Sequence, residues 1–220
     1  MHLFFDLDGT LTDSSPGIIR CINHALAALG RERVADDCLL GMIGAPLTTI
    51  FETLLDSTDE VMLDRAVAAY RTRFNGVGMF ENALFPGISG ALDELHRSGH
   101  ALQIVTAKPA VSARRVVAHF EMTRFFDAVH GPALTDRSCD KADLVAAALQ
   151  FAGADTHQSM MIGDRAEDVL AARAHGVAAM AVGWGYGSRP ELIAAGPAYF
   201  ANNVRELIAW VHSAGRPGSA

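Results

Sequence analysis

His2-Leu3-Phe4-Phe5-Asp6-Leu7-Asp8-Gly9-Thr10-Leu11-Thr12-Asp13, close to the amino terminus, is the stretch on which the fold reading turns. Leu3, Phe4 and Phe5 form a short apolar run that stops at two carboxylates, Asp6 and Asp8, followed by Gly9 and Thr10. Such a run, bounded by polar residues and glycine, predicts a buried strand. In extended backbone, residues two apart project to the same side. Asp6 and Asp8 are therefore expected to face one small volume at the strand's carboxyl end. Carboxylates that close repel each other unless a cation or a shared proton lies between them. A hard divalent cation with oxygen ligands resolves the repulsion, and Mg2+ fits. The plainer alternative is a strand that ends in an Asx-type turn.

Beyond this strand the texture becomes helical. Ser15 is placed to cap a helix with Pro16 in its first turn. Ile18, Ile19, Ile22, Ala25, Leu26 and Leu29 then recur at helical spacing, and Gly30 closes the helix. Helices are predicted over 36–40 and 47–55, on either side of a break at Gly41–Pro46. Ser57 and Glu60 form a capping box ahead of a fourth helix over 61–74. No strand signal occurs between Ser15 and Glu81, so a helix-only insert follows the acidic strand.

From Phe85 onward strands are predicted at 101–105, 128–130, 160–162 and 178–182. They alternate with helices over 88–97, from Pro109 to about Phe120, over 140–151 and over 164–175. Two further helices reach about Val211, and a loose tail is expected from Ser213. Strands alternating with helices predict an α/β fold, a parallel sheet covered on both faces. The expected division is a core of residues 1–14 and 84–220 with an inserted helical domain of 15–83.

At 220 residues, half of them hydrophobic, the chain is long enough for one large domain or a domain with an insertion. The formal net charge is -7 and there is no basic run. That argues against nucleic acid or an anionic membrane as partner. Attraction for an anionic substrate must then come from a local site. Cys21, Cys38 and Cys139 are widely spaced and make no metal or redox motif, which suits a reducing cytoplasm. The amino terminus runs directly into the strand, so no signal peptide is expected, and no apolar run is long enough to span a bilayer.

In an open parallel sheet, ligands bind beyond the carboxyl ends of the strands. Asp6 and Asp8, Thr106, and Asp164 all follow predicted strands and so converge on one edge. Asp164 and Asp168 lie four apart at a helix start, where they either cap the helix with Glu167 or add carboxylates to a cation site. Thr106 and the backbone N–H groups that follow it, beginning at Ala107, can bind phosphate oxygens. Lys141 begins a helix beside the cap Asp140, where a cation is disfavoured unless an anionic partner is present. Lys108 and Lys141 are the chain's two lysines, set against sixteen arginines, and both fall near this edge. Arg20, Asn23 and His24 form a polar stripe on the first insert helix, read either as a solvated face or as substrate contacts. Gly183-Trp184-Gly185-Tyr186-Gly187 is expected to be a flexible loop, too irregular for a dinucleotide fingerprint.

Asp6-Leu7-Asp8-Gly9-Thr10, Thr106, Lys141 and Gly163-Asp164 with Asp168 together resemble the four motifs of the haloacid dehalogenase superfamily, and the helical insert is similar to the cap of its phosphoglycolate phosphatase-like branch. Glu81–Gly87 and Asp136-Arg137-Ser138-Cys139-Asp140-Lys141 are similar to bacterial 5′-nucleotidase-like or phosphoglycolate phosphatase-like members. Arg165 stands where many relatives carry a small residue. The resemblance implies a Rossmann-like core with a helical cap and a Mg2+-dependent phosphatase acting on a small phosphorylated metabolite. It implies Asp6 as nucleophile through an aspartyl-phosphate, and Asp8 as general acid and base. It implies Mg2+ held by Asp6, the Asp8 carbonyl and Asp164, with Asp168 in support, and Thr106 and Lys141 around the phosphoryl group. Substrate contacts are expected from Thr106, Ala107, Lys141, Arg20 and His24. The alternatives are a 5′-nucleotidase, a phosphosugar mutase of the same fold, or a non-catalytic module that senses a phosphometabolite. A hydrolytic dehalogenase needs neither a second acid nor a metal, so Asp8 argues against it.

Overall fold

A computed structural model of the chain describes residues 1–136 and 140–214. The apolar run at the amino terminus forms β1 (His2–Phe5), with Leu3, Phe4 and Phe5 buried. It is a central strand of a six-stranded sheet. The other strands are β4 (Ala101–Val105), β5 (Ala128–His130), β6 (Ser159–Gly163), β7 (Ala178–Val182) and β8 (Tyr199–Ala201). Their order is β5-β4-β1-β6-β7-β8, and every neighbouring pair runs parallel. The chain winds outward from β1 to β5 and then returns to place β6 on the opposite flank of β1. The reversal of winding leaves a crevice beyond the carboxyl ends of β1 and β6.

Helices α5 (Ile88–Arg97), α6 (Ala110–His119), α7 (Lys141–Ala152), α8 (Ala166–Ala174), α9 (Arg189–Ala195) and α10 (Val204–Ala214) alternate with these strands. Phe4, Met161 and Ala179 stand side by side in register across β1, β6 and β7. Val145 and Ala148 of α7 and Val169 and Ala172 of α8 complete one buried cluster with them. Fully burying a side chain of the size of Val or Met contributes about 1.5–3 kcal/mol, so this cluster fastens α7 and α8 to the sheet. Both helices begin at residues that bear on the crevice.

Two compact units divide the chain. One comprises Met1–Thr12, Leu84–Thr135 and residues 140–214; the other comprises Asp13–Ala83 and Asp136. The chain passes between them at β2 (Thr12–Asp13) and β3 (Ala83–Leu84), which form a separate two-stranded sheet. The second unit holds α1 (Ser15–Ala28), α2 (Asp36–Leu40), α3 (Leu47–Leu55) and α4 (Glu60–Gly76). Gly17 of α1 approaches the turn after α4 so closely that a Cβ there would overlap the Gly78 carbonyl. Arg73 of α4 holds Glu81 through both carboxylate oxygens, at 2.6 and 3.0 Å, and Arg20 adds a third contact at 2.9 Å. The Arg73 hydrogen bond, opposed by burial and aided by Arg20, holds the Glu81 carboxyl below its usual range.

Several local expectations are corrected. Ser15 does not cap α1: its N–H and Oγ–H donate to the Asp13 carboxylate, at 3.1 and 2.6 Å. Asp59, not Ser57, caps α4 by accepting from the Met62 N–H at 2.9 Å. Helix α8 starts at Ala166, so Asp164 lies outside it and caps nothing. In place of the expected Glu167, Asp168 closes the start of that helix by accepting from the Arg165 N–H at 3.0 Å. A sixth strand, β8, was not expected; three residues after a proline carry little pattern, and pairing of Met180 to Tyr199 through Val182 to Ala201 along β7 creates it. Ser213 and Ala214 end α10 instead of opening a tail. Residues 215–220 and Cys139 lie outside the described residues.

Candidate active site

The chain leaves β1 at Asp6, whose N–H still donates to the Ile162 carbonyl of β6 at 2.9 Å. It then turns sharply. Leu11 and Thr12 N–H groups both donate to the Leu7 carbonyl, at 2.9 and 3.0 Å, and the Gly9 N–H donates to the Thr12 carbonyl at 2.8 Å. Gly9 has φ +87°, in the left-handed region that favours glycine, and a Cβ on it would overlap the Asp164 carboxylate. The turn thereby brings the Thr10 hydroxyl to Asp164 Oδ1, to which it donates at 3.0 Å.

Three carboxylates meet here. Asp6, Asp164 and Asp168 are buried, with one oxygen of each within 4.8 Å of the others. Lys141, at the start of α7, sets its Nζ 3.1 Å from Asp6 Oδ2 and also pairs with Asp168 Oδ1. Burial pushes the Asp6 carboxyl up, Lys141 opposes it, and Asp168 and Asp8 add to the rise. Burial also raises Asp164, helped by Asp6 and Asp168 and opposed by the Tyr186 amide and the Thr10 hydroxyl. Burial works against the Lys141 ammonium, but the Asp168 and Asp6 carboxylates outweigh it and raise its pKa. Among the described residues, one ammonium faces three carboxylates, which leaves negative charge uncompensated. Two unit charges 4 Å apart interact by about 4 kcal/mol at the effective dielectric of a protein site. Asp6 Oδ1 is buried and has no hydrogen-bond partner. An uncompensated acidic cluster with a free carboxylate oxygen fits a hard divalent cation such as Mg2+.

Asp8, the fourth acidic residue of this edge, adds its charge to Asp6. The Asp8 carboxylate is not in the trio; its Oδ2 lies 2.6 Å from Lys108 Nζ, and the Lys108 side chain is only 6% exposed. The period-two rule fails because β1 ends at Phe5 and both aspartates belong to the turn that follows. Thr106 leaves β4, the other neighbour of β1; it is buried, and its Oγ1 accepts from the Lys108 N–H at 3.3 Å. That small turn carries Lys108 to Asp8. Ala107, between them, is exposed.

Arg20 and His24 belong to the second unit. Both are exposed on α1 of the second unit, and Arg20 is engaged by Glu81. Asn23, of the same stripe, is a brace: its amide donates to the Val34 carbonyl and accepts from the Val34 N–H, at 3.1 and 2.9 Å.

The sequence motifs give no role to Lys108, to Thr10 or to the loop after β7, and the structure brings all three to this edge. The loop lies at Asp164: the Tyr186 N–H donates to Asp164 Oδ2 at 2.8 Å, and Trp184 Nε1–H donates to the Thr10 carbonyl at 3.0 Å. Its signal was present in the alternate glycines, which mark close backbone approach.

The chain matches the family model of haloacid dehalogenase-like hydrolases over residues 3–182. It is similar to a 5′-nucleotidase of Pseudomonas aeruginosa, 39% identical, with 94% of this chain and 93% of that one covered. It is also similar to the tyrosine-protein kinase PtkA of Mycobacterium bovis, 36% identical over 84% of this chain, of which it spans only 62%. Among solved structures it is similar to a predicted phosphatase from Clostridium acetobutylicum, with TM-score 0.89, 33% identity, and 96% and 98% of the two chains covered.

Proposed function

We propose that this chain, which belongs to the haloacid dehalogenase-like hydrolases and is a phosphoric monoester hydrolase, dephosphorylates a small soluble phosphomonoester with the help of Mg2+. The observation that carries the reading is the buried Asp6, with Oδ2 on Lys141 and Oδ1 unpartnered, next to Asp164 and Asp168.

In this reading Asp6 attacks phosphorus and forms an aspartyl-phosphate as the substrate's ester oxygen leaves. Asp8 gives the leaving oxygen its proton. It then takes a proton from the water that attacks the phosphoryl group, which releases phosphate and restores Asp6. Lys108, paired with Asp8, orients it. Lys141 and the Thr106 hydroxyl neutralise and hold the phosphoryl oxygens, with the backbone at Ala107 as a further donor. Asp6, Asp164 and the Asp8 carbonyl would hold Mg2+, with Asp168 in support, and the ion would supply positive charge to the transferring group.

Residues 15–83 are assigned the role of a cap over the core of 1–14 and 84–220. The cap supplies the contacts that select the non-phosphate part of the substrate, with Arg20, His24 and the Gly41–Pro46 loop as first candidates. Nucleoside 5′-monophosphates and phosphoglycolate are the leading substrates. The similarity to a 5′-nucleotidase over nearly the whole of both chains supports the former, and the likeness of the motifs and insert to the phosphoglycolate phosphatase-like branch supports the latter. The cytoplasm is the proposed compartment, where cysteines outside disulfides, such as Cys21 and Cys38, stay reduced; no described helix is long and apolar enough to cross a membrane.

The test is phosphate release from a panel of phosphorylated metabolites, with Mg2+ and with excess chelator. Release from one or both of those classes, abolished by chelation and restored by Mg2+, is expected. Full activity in chelator would overturn the metal assignment, and phosphoryl transfer to protein tyrosine without release of phosphate would overturn the hydrolase reading.

A further inference from the structure

The segment Gly183-Trp184-Gly185-Tyr186-Gly187 has no assigned work in the chemistry above. Its position follows from the sheet. Strands β6 and β7 are adjacent and parallel, with Gly163 opposite Ala181. The segments that leave them therefore emerge side by side, and the loop after β7 falls against Asp164.

The loop meets Asp164 on several sides. The Tyr186 N–H donates to Oδ2 at 2.8 Å. The indole N–H of Trp184 donates to the Thr10 carbonyl at 3.0 Å, and the Thr10 hydroxyl donates to Asp164 Oδ1 at 3.0 Å. Both carboxylate oxygens of Asp164 are thus held, one by the loop directly and one through Thr10. A Cβ on Gly185 would overlap the Asp164 side chain and the Gly9 carbonyl, and one on Gly187 would overlap the Asp164 carbonyl. Neither glycine is among those with positive φ, so space, not backbone conformation, demands them. Gly183 differs: a Cβ there would meet the Phe200 ring and nothing of Asp164. The loop is anchored beyond the glycines as well. Ser188 caps α9, and Glu191 in its first turn accepts from the Ala166 N–H at 3.1 Å, at the start of α8. The chain just after Asp164 is therefore tied to the helix that the loop leads into.

We propose that Trp184–Gly187 is a clasp that positions Asp164: it sets the direction of the carboxylate and thereby the affinity for Mg2+, while touching no part of the substrate. The inference rests on the reading of Asp164 as a Mg2+ ligand. Groups that orient metal ligands typically change metal affinity by about 10–100-fold when removed.

Mg2+ is titrated calorimetrically into the metal-free full-length protein and its variants, with apparent Mg2+ activation and kcat measured in parallel. Gly185→Ala is expected to bind Mg2+ about 10–100-fold more weakly and to recover most of its kcat in excess Mg2+. Gly183→Ala, the same substitution two residues away, should bind Mg2+ within about twofold of wild type. Trp184→Phe keeps the aromatic bulk and removes only the N–H donor, at an expected cost of about fivefold in Mg2+ affinity; it carries the test should Gly185→Ala fail to fold. Wild-type Mg2+ affinity in folded Gly185→Ala or Trp184→Phe, or equal losses in Gly185→Ala and Gly183→Ala, would overturn the clasp and leave the metal reading intact. Absence of Mg2+ binding by the wild-type protein would overturn both.

Discussion

Lys141→Met removes a charge and little else, because the two side chains are close in length and the Lys141 side chain is only 10% exposed. The ammonium it removes stands 3.1 Å from Asp6 and is paired with Asp168. What remains is Asp6, Asp164 and Asp168, buried with oxygens within 4.8 Å of one another and, among the described residues, no other side-chain cation paired with them. Removing one partner of a buried ion pair typically costs about 3–5 kcal/mol, since the other charge is left desolvated. With an m-value of about 2–3 kcal/mol/M in urea, the unfolding midpoint in chelator at pH 7 should fall by about 1–2.5 M. Mg2+ should stabilise the variant more than the wild type, because a divalent ion takes over the missing charge. Turnover should nevertheless stay down by about 10²–10³-fold, the usual cost of a lost stabilising donor. Lys141→Arg separates the two effects: it keeps the charge and much of the stability, but its planar fork does not fit between phosphate and nucleophile as a compact ammonium does. Urea titrations of all three proteins, with chelator and with Mg2+, supply the comparison. If Lys141→Met unfolds at the wild-type midpoint in chelator, the ammonium is not the counter-charge of this cluster and the electrostatic reasoning fails.

Asp6→Asn should abolish phosphate release while the far-ultraviolet circular dichroism stays native, since the amide is nearly isosteric and removes only the nucleophile; wild-type turnover in that variant would sink the covalent step. Asp8→Asn should lower kcat by about 10²–10⁴-fold. Lys108→Met, which removes only the partner of Asp8, should cost less, and the double variant should be no slower than Asp8→Asn alone; additive losses would mean that Lys108 acts independently of Asp8. In the second unit, Glu81 has a lowered pKa through its hydrogen bonds from Arg73. A carboxyl lowered on folding contributes stability above its ordinary value of 4.5 and loses it as the pH falls through the folded value. Glu81→Gln should therefore cost up to about 1 kcal/mol near pH 7, since water screens a partly exposed pair, and progressively less on acidification below that value, as read from urea midpoints across pH; a difference that does not change with pH would refute the ion-pair account.

The sequence by itself determined the order of elements, because hydrophobic periodicity is a local property. The run Leu3-Phe4-Phe5, the strand at Ala101–Val105 and the helices at Ile88–Arg97 and Leu47–Leu55 all stand where pattern and punctuation put them. It also determined that Asp6, Thr106 and Asp164 follow strands of one parallel sheet, and hence that they share an edge. It did not determine which carboxylates meet. The alternation that paired Asp6 with Asp8 holds only inside a strand, and β1 ends at Phe5. The turn closed by Leu7, Gly9 and Thr12 then delivers the Asp8 carboxylate to Lys108, while Asp6 joins Asp164 and Asp168. Caps were misplaced by a residue or two because neighbouring Ser and Asp side chains compete for the same orphan amides at nearly equal energy. The strand β8 and the closure of Trp184–Gly187 on Asp164 were beyond the local pattern altogether. Each arises from a neighbour relation in the sheet, β8 with β7 and β7 with β6, between segments that the chain separates by whole helices. A glycine such as Gly185 records that proximity only as a missing side chain, and the neighbour it makes room for is decided by which strands lie side by side.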